Sequence, residues 1–388
     1  MDPGNHATSR DRQARALLRD WLRARGDSTR AMAIRAGIER DAWAWDDVRR
    51  LAEAERVVPL LHRAVGAIGM APADLAHDLH RARCATALRN RRLLTEFGRA
   101  MNALAAAGVP IIVLKGVALA AAVYRDISLR PMADLDVLIR RSTLESAARV
   151  LEGLGYVPIR KETHPGALAE YESELAFRKY GEFPAEIDLH WSLFDSPYHQ
   201  ARTDMDWFWD TSVPLRIAGV DTWMLGPEAL LLHLCGHLAL HHAGAGLLWE
   251  HDIFEVLVES GAATDWKMLL SKVRAYDLVL PVRSVLSRAV DEWNAPVPAA
   301  ALAALCALPY SPGEARVFAS IRRPDRSAAQ RFWDDLAGMA GWRQRLRFTR
   351  TNLLPSAAYM RQRYRIPHPL LLPLYYPYRW LRGLCGTR

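Results

Sequence analysis

The amino-acid sequence predicts an α+β fold, a mixed α/β sheet flanked by N-terminal and C-terminal helical regions. Short β-branched runs alternate with helical segments between residues 108 and 214, which is typical of a mixed sheet. On both sides of this stretch, apolar residues recur at helical spacing. Because 388 residues exceed what one hydrophobic core usually supports, we divide the chain into four regions. These are an N-terminal helical region at 1–107, an α/β core at 108–214, a C-terminal helical domain at 215–342 and a basic, aromatic, proline-containing tail at 343–388.

The predicted elements follow from changes in the local pattern. The α/β core begins after Gly108 to Pro110, because Ile111 to Leu114 is a β-branched run that enters a turn. We predict strands at 111–114, 134–139, 155–159, 175–178 and 185–190, with helices at 117–124 and 142–153 between them. The helical period resumes after Pro227. We predict helices there at 228–242, 247–259, 266–274, 280–293, 314–321 and 327–339.

The composition is that of a folded, basic protein. Hydrophobic residues make up 51% and charged residues 24% of the chain, as in ordinary globular proteins. The formal charge of +8 and the isoelectric point of about 9.5 suit an anionic partner such as a nucleotide, a nucleic acid or a lipid headgroup. An arginine-rich and alanine-rich composition can also reflect a GC-rich genome, and we favour this second interpretation slightly.

The sequence predicts a cytoplasmic protein. Its first 25 residues are polar and charged and lack the apolar core of a secretory signal. No apolar run approaches the length of a transmembrane helix. The four cysteines are far apart and lack the paired spacing of a zinc or redox site, so we interpret them as buried thiols in a reducing compartment. They are Cys84, Cys235, Cys306 and Cys385.

Two carboxylates stand two residues apart inside an apolar run. Side chains at alternate positions of a strand share a face, so Asp134 and Asp136 are expected to point the same way. Two like charges this close need a cation between them, and a divalent metal prefers oxygen ligands of this kind. Such a pair, with a basic turn upstream to receive phosphates, is the core of a nucleotidyl-transfer site. We therefore predict that Asp134 and Asp136 are metal ligands and catalytic residues.

A third carboxylate is expected from a later strand. Glu186, Asp188 and His190 alternate with apolar residues and share one face of their predicted strand. An edge strand that shows a polar face to water has the same pattern. The position of this run after the first carboxylates favours a functional interpretation, and Asp188 lies deeper in the run than Glu186. We predict Asp188 as the third ligand and as the base toward an acceptor.

Basic residues next to the first carboxylates are expected to bind phosphate. Lys115 and Gly116 follow a strand and precede a helix, where backbone N–H groups and the helix dipole can hold an anion. A lone Lys-Gly pair is usually only a turn. The neighbouring carboxylates favour phosphate binding instead. Arg130, four residues before Asp134, can reach the same phosphates, although an Arg-Pro pair is as often a solvated turn.

These motifs together resemble a known family. The chain is similar to the uncharacterised bacterial nucleotidyltransferase family, a branch of the polymerase-β-like nucleotidyltransferase superfamily. The resemblance extends from about Leu51 over most of the chain. The segments that carry it are Leu114-Lys115-Gly116, Tyr124, Arg130-Pro131-Met132, Asp134-Leu135-Asp136, Gly155-Tyr156 and Glu186 to Trp191, with further similarity at 230–237, 249–252, 265–266 and 354–356.

The resemblance implies a minimal nucleotidyltransferase sheet with Asp134, Asp136 and Asp188 as ligands of Mg²⁺ or Mn²⁺. It also implies a nucleoside triphosphate, ATP being one candidate, from which a nucleoside monophosphate is transferred to an acceptor with release of pyrophosphate. A sugar, a glycan, a peptide or a protein is the implied acceptor class. The Lys115-Gly116 turn is implied to replace the Gly-Ser or Gly-Gly turn of better-known relatives, so Lys115 stands where those relatives carry a small residue that packs against the triphosphate.

A second group of polar residues follows the core. His233, His237 and His241 are spaced four apart on a predicted helix, a spacing at which paired imidazoles can bind zinc. The glutamate of a metalloprotease helix is absent, and we favour histidines that pack in the core or between helices. Alternatively, the helical domain closes over the sheet. We then expect His237, His241 and Asp252, with His190, to lie around the nucleotide or acceptor without being metal ligands.

The tail and the overall activity leave alternatives open. The aromatic residues and arginines after residue 343 suit a peripheral contact with an anionic membrane surface, but prolines interrupt any long helix, and we favour packing along the protein's own helical domain. The rivals to an active enzyme are an inactive nucleotide-binding or scaffold protein, and a toxin-like nucleotidyltransferase that acts on protein or RNA. We predict no specific nucleic-acid partner, since no binding module is recognisable.

Overall fold

The computed structural model describes residues 9–25, 27, 29, 32, 34, 45–66, 71–159, 162–323 and 326–384. A seven-stranded mixed sheet lies at its centre, with helices before, between and after the strands. This arrangement confirms the predicted α+β fold.

Among the described residues before the sheet, the structure gives the bounds of four helices. They are α1 (Ser9–Ala24), α2 (Trp45–Ala54), α3 (Val58–Gly66) and α4 (Ala73–Ala106). The last of these is 34 residues long, and its C-terminal half buries Leu93, Phe97, Met101 and Leu104, which recur every three or four residues. This spacing forms the single apolar stripe that packs α4 into the same hydrophobic core as the sheet.

The sheet has the strand order β3-β4-β5-β2-β1-β7-β6. Parallel pairing joins β2 to β5 and β1 to β7, and the other neighbours are antiparallel. The strands are β1 (Ile111–Val113), β2 (Leu135–Ile139), β3 (Val157–Pro158), β4 (Glu174–Lys179), β5 (Ala185–His190), β6 (Val213–Ile217) and β7 (Val220–Met224). The five predicted strands are present, the third of them shortened to two residues.

The hairpin of β6 and β7 was not predicted. Its two-residue loop is Ala218-Gly219, and both residues have positive φ angles, of 53° and 78°. Such a turn matches the twist of the flanking strands. The hairpin extends the sheet beyond residue 214, where we placed the end of the core, and the division of the chain into four regions stays a prediction.

Short helices connect the strands and longer ones follow them. Those between the strands are α5 (Lys115–Ala122), α6 (Leu144–Gly153), α7 (Ala167–Tyr171), α8 (Pro197–Gln200) and α9 (Met205–Asp210). Those after the sheet are α10 (Pro227–Leu240), α11 (Leu247–Ser260), α12 (Trp266–Ala275), α13 (Val279–Trp293), α14 (Ala299–Ala307), α15 (Pro312–Ile321) and α16 (Ala328–Gly338). The predicted helices of this part of the chain are confirmed to within a few residues at each end.

The tail is helical despite its prolines. It forms α17 (Trp342–Leu353), α18 (Ala357–Tyr364) and α19 (Leu372–Leu384), and Pro377 lies inside α19. Among the residues that the structure describes, no helix is both long and apolar enough to cross a membrane.

Three of the four cysteines lie within the described residues, and none of these three forms a disulfide. Cys235 is buried as expected, but Cys84 and Cys306 are exposed, so the prediction of buried thiols is wrong for these two. Both stand on the solvent-facing side of their helices, α4 and α14. Cys385 lies outside the described residues.

A buried ion pair ties the sheet to the helical region. Arg130 lies in the segment that leads into β2, and its guanidinium binds Asp252 of α11 through Nη2 at 2.8 Å and Nε at 3.3 Å. The hydroxyl of Tyr124 donates to the same carboxylate at 2.8 Å. Burial opposes the charge of Arg130, but Asp252 overcomes this and raises its pKa. Arg130 and Asp252 therefore stabilise each other's charge, although they lie 122 residues apart in the chain.

We expect Asp252→Ala to lower the free energy of unfolding by about 3–5 kcal/mol, because it leaves the Arg130 charge buried without its partner. Chemical denaturation of the variant measures this. The matched control is Asp221→Ala, which removes one partner of the exposed Arg216–Asp221 pair and is expected to cost about 1 kcal/mol or less. Equal losses in the two variants would contradict the structural importance of the buried pair.

Buried histidines make the stability depend on pH. Burial lowers the pKa of His199 to about 4, that of His251 to about 3 and that of His233 well below its usual range. Each imidazole therefore binds a proton less readily in the folded chain than in the unfolded chain. Their stabilising contribution is fully present above the unfolded pKa of about 6.5 and is lost as the pH falls below it.

We expect the free energy of unfolding to fall between pH 6.5 and pH 4 by about 1.4 kcal/mol per pH unit for each of these histidines. Denaturant titrations at a series of pH values measure the slope. His199→Leu removes one titrating group and should reduce the slope by that amount. A slope that is unchanged in this variant would show that His199 does not contribute.

Candidate metal and nucleotide site

Two carboxylates face each other on neighbouring parallel strands. Asp136 of β2 is paired in register with Asp188 of β5, so both side chains lie on the same face of the sheet. Asp136 is buried and Asp188 is partly buried. The Oδ1 atom of Asp188 is buried and accepts no hydrogen bond. This is the kind of polar atom that a folded protein normally satisfies.

Two basic groups converge on one oxygen of Asp136. Lys115 Nζ lies 2.9 Å from Asp136 Oδ1, and His190 Nε2 lies 2.9 Å from the same atom. Burial alone would raise the pKa of Asp136, but the charges and hydrogen bonds of Lys115 and His190 hold it well below its usual range. His190 is itself fixed by Glu174, whose Oε2 lies 3.1 Å from Nδ1. Asp136 is therefore ionised and held from two sides.

Asp188 has the opposite electrostatic character. Burial, followed by the charges of Asp136, Glu174 and Asp134, raises the pKa of Asp188 to about 8. Two adjacent carboxylates cannot both ionise cheaply unless a positive charge joins them. The carboxyl group of Asp188 therefore lacks a positive partner of the kind that Lys115 provides for Asp136.

These residues form a candidate group for a metal ion. Ligand atoms of Asp136, Asp188 and His190 all lie within 4.8 Å of one another. Two carboxylates and one imidazole fit a divalent cation such as Mg²⁺ or Mn²⁺, of which Mn²⁺ accepts a nitrogen ligand more readily. The orphaned oxygen of Asp188 fits the same ion. The sequence analysis did not place His190 among the metal ligands, but the structure brings it into the group.

Asp134 lies beside this group but is not a member of it. It directly precedes β2 and is partly buried. Burial and the charge of Asp136 raise its pKa, while Lys115 and Arg130 oppose the shift. It is thus within electrostatic reach of the other carboxylates, and its predicted role as a ligand stays a prediction.

The predicted phosphate-binding residues separate in the structure. Lys115 opens α5 with a positive φ of 42°, and its side chain reaches the carboxylates. The guanidinium of Arg130 is instead paired with Asp252, although its charge still acts on Asp134. A Cβ added to Gly116 would meet Arg130 Nη1 at 2.6 Å, so the glycine permits close packing of this arginine. Lys115 is therefore the basic residue of the predicted set that contacts the carboxylates.

The histidines of α10 form one wall beside the site. His241 Nδ1 lies 2.8 Å from Asp195 Oδ2, and this hydrogen bond raises the pKa of His241. His237 Nε2 lies 3.0 Å from Nε2 of His242, and burial lowers the pKa of His237 well below its usual value. Among the described residues, no group of three metal ligands includes these histidines. Whether they contact a nucleotide or an acceptor stays a prediction.

A large cavity adjoins Lys115 and His190, the two residues that contact Asp136, although Asp134, Asp136 and Asp188 do not line it. Its volume is about 1010 Å³, and its lining includes Lys115, Glu174 and His190 from the sheet region. His233 and His237 of α10, and His241 directly after that helix, also line it. The C-terminal helices contribute Arg326, Arg331, Arg363 and Arg365. A cavity of this size can hold a nucleotide or a drug-sized ligand. Asp252 is not part of the lining, because it is committed to Arg130.

Two functional partners were missed from the sequence. Glu174 lies opposite His190 in the antiparallel pairing of β4 and β5, and Asp195 follows β5 and orients His241. The fourth and fifth strands were predicted, but their register was not. The contact between Glu174 and His190 follows from the register of β4 and β5, which places the two residues opposite each other.

Comparisons with known proteins agree with this geometry. The family description that matches the chain is "Uncharacterised nucleotidyltransferase", and the match covers residues 41–293, more than half of the sequence. No curated protein and no solved structure gives a match. The matched range contains the carboxylates, Lys115 and the histidines of α10. The chain therefore belongs to the uncharacterised nucleotidyltransferase family.

Proposed function

We propose that this protein is a metal-dependent nucleotidyltransferase that moves a nucleoside monophosphate from a nucleoside triphosphate to an acceptor hydroxyl or phosphate, with release of pyrophosphate. The observation that carries the proposal is the pairing of Asp136 with Asp188 on adjacent strands, next to Lys115 at the start of a helix. The family match supports the same reaction class.

Asp136 and Asp188 would hold Mg²⁺ or Mn²⁺, with His190 or Asp134 completing the ligand set. When bound, the cation would neutralise charge on the phosphates and lower the pKa of the attacking hydroxyl. The raised pKa of Asp188, which burial and the neighbouring carboxylates cause, would be opposed by a positive charge held there. Asp188 would then be ionised and placed to accept the proton of an acceptor hydroxyl.

Lys115 would bind triphosphate oxygens. Its Nζ contacts Asp136, and a competing positive charge at that carboxylate would free the ammonium group for an anion in the adjoining cavity. Burial lowers the pKa of Lys115, but Asp136 more than compensates and the net shift is upward. The side chain therefore stays protonated at neutral pH, as an anion-binding residue must.

The cavity supplies space for both substrates. Its lining joins the carboxylate region to the histidines of α10 and to arginines of the C-terminal helices. The base and sugar of the nucleotide, or part of the acceptor, would pack in this volume. A sugar, a glycan, a peptide or a protein would be the acceptor, and His237 and His241 would contact the nucleotide or acceptor from the α10 wall.

We expect Asp136→Asn and Asp188→Asn each to lower transfer by about 1000-fold or more, because several kcal/mol of charge stabilisation depend on these oxygens. The assay incubates the protein with each labelled triphosphate and Mg²⁺ or Mn²⁺, with and without cell extract, and measures pyrophosphate release and label transfer. Addition of EDTA should abolish both signals. The matched control, Asp221→Asn, changes an exposed aspartate of the β6–β7 hairpin and should keep full activity.

The same assay separates the rivals. An inactive nucleotide-binding or scaffold protein would bind triphosphate without releasing pyrophosphate. A toxin-like enzyme would transfer label to protein or RNA in the extract. Absence of both transfer and metal-dependent triphosphate binding under every condition would refute the proposed function.

We expect Lys115→Met to lower kcat/KM for the triphosphate by about 100-fold or more, because a positioned cation is lost at the phosphates. Lys267→Met, at an exposed lysine of α12, is the matched control and should behave as wild type. Lys115→Arg keeps the charge and tests whether the shape of the ammonium matters. Thermal unfolding of all three variants checks that the fold is retained, and full activity of a folded Lys115→Met would exclude this role.

A further inference from the structure

The C-terminal part of the chain has an extreme charge pattern. Residues 336–388 contain ten arginines and no aspartate, glutamate or lysine. The last acidic residue of the chain is Asp335. In the remainder of the sequence acidic and basic residues are interspersed. A purely cationic segment of this length attracts anionic partners.

One side of α19 is anchored to the rest of the protein. Trp380 Nε1 donates to the carbonyl oxygen of Leu353 at 2.7 Å, and the hydroxyl of Tyr376 donates to the carbonyl oxygen of Pro355 at 2.8 Å. Arg379 Nη2 lies 3.5 Å from the carbonyl oxygen of Asn352. These hydrogen bonds pair the free backbone carbonyl oxygens at the end of α17, and they fix which face of α19 points inward.

The opposite side of α19 is apolar and open. Leu370, Leu374, Tyr378 and Leu381 are spaced four, four and three residues apart, so they share one helical face. Leu370 is 81% exposed, Leu374 68% and Leu381 63%. The neighbouring helix α17 likewise exposes Trp342 and Leu346, four residues apart. We call these four residues, Leu370 in the short turn before α19 and the other three on α19, the outer face.

We propose that the outer face of α19 docks on an anionic membrane surface. A helix with one apolar face and basic surroundings lies in the plane of the bilayer interface, where leucine and tyrosine side chains enter the acyl boundary and arginines meet the headgroups. Arg361, Arg363 and Arg365 are exposed close by in the chain, on and just after α18. The chemistry of the partner is therefore that of acidic phospholipid.

Charge complementarity selects this occupant over the alternatives. A second copy of the chain would bring its own cationic segment against the first, and like charges would oppose the contact. A nucleic acid would pair with the arginines but would leave the leucines without an apolar partner, since protein–DNA contacts are largely polar and charged. An acidic lipid surface offers charged headgroups to the arginines and an apolar layer to the leucines.

Vesicle flotation tests the proposal with the full chain. We expect the wild-type protein to float with vesicles of phosphatidylcholine and phosphatidylserine, to bind vesicles of phosphatidylcholine alone far less, and to be released by added salt because screening weakens the arginine contacts. Leu374→Ser/Leu381→Ser should lower the partition coefficient by about tenfold or more, from the loss of two buried leucine side chains. Leu88→Ser, at an exposed leucine of α4, is the matched control and should bind as wild type.

Circular dichroism and thermal unfolding establish that the variants fold, which is expected because the substituted leucines are exposed. Absence of wild-type binding to phosphatidylserine vesicles would overturn the proposal, as would binding by the double variant equal to that of wild type. Light scattering tests the copy-to-copy alternative. A dimer that the double variant abolishes would show that the outer face is a protein interface, and the proposal would be wrong. Neither measurement depends on nucleotidyl transfer.

Discussion

The repulsion between Asp136 and Asp188 is the constraint around which this site is built. Parallel pairing of β2 and β5 places the two carboxylates side by side on a largely buried surface, and like charges there are costly. Lys115 and His190 offset this cost by contacting Asp136. Lys115 begins its helix in a left-handed backbone conformation, and Glu174 holds His190 in place. One carboxylate is thereby stabilised as an anion, and the other is left with an unsatisfied oxygen. The site is asymmetric before any ligand arrives.

Local alternation in the sequence predicted which of these side chains lie together in the structure. Asp136, Asp188 and Lys115 were identified because each stands at a defined position relative to a short apolar run, and neighbouring strands bring such positions together. Membership of His190 in the metal group was missed, because it depends on the register between strands rather than on the order of residues. The β6–β7 hairpin was missed as well, since an Ala-Gly loop after a strand that contains Pro214 is a weak turn signal.

Long-range pairing limited what could be inferred for Arg130. Its sequence position, four residues before Asp134, suggested a phosphate ligand, yet Asp252 holds its guanidinium from a helix 122 residues later. No local pattern reveals such a partner. The pair serves to fix the segment before β2 against α11, and Gly116 leaves room for it. The predicted contact of Arg130 with phosphate stays a prediction, and the structure shows the pairing of its guanidinium with Asp252.

The walls of the cavity come from two parts of the chain with different relationships to the family. The carboxylates, Lys115 and the α10 histidines lie within the matched range of 41–293, whereas Arg326, Arg331, Arg363 and Arg365 come after it. A change confined to the C-terminal helices would therefore alter the shape and charge of the chamber while leaving the carboxylate centre intact. The carboxylate centre and this arginine-bearing part of the cavity wall are therefore encoded in separate stretches of the sequence.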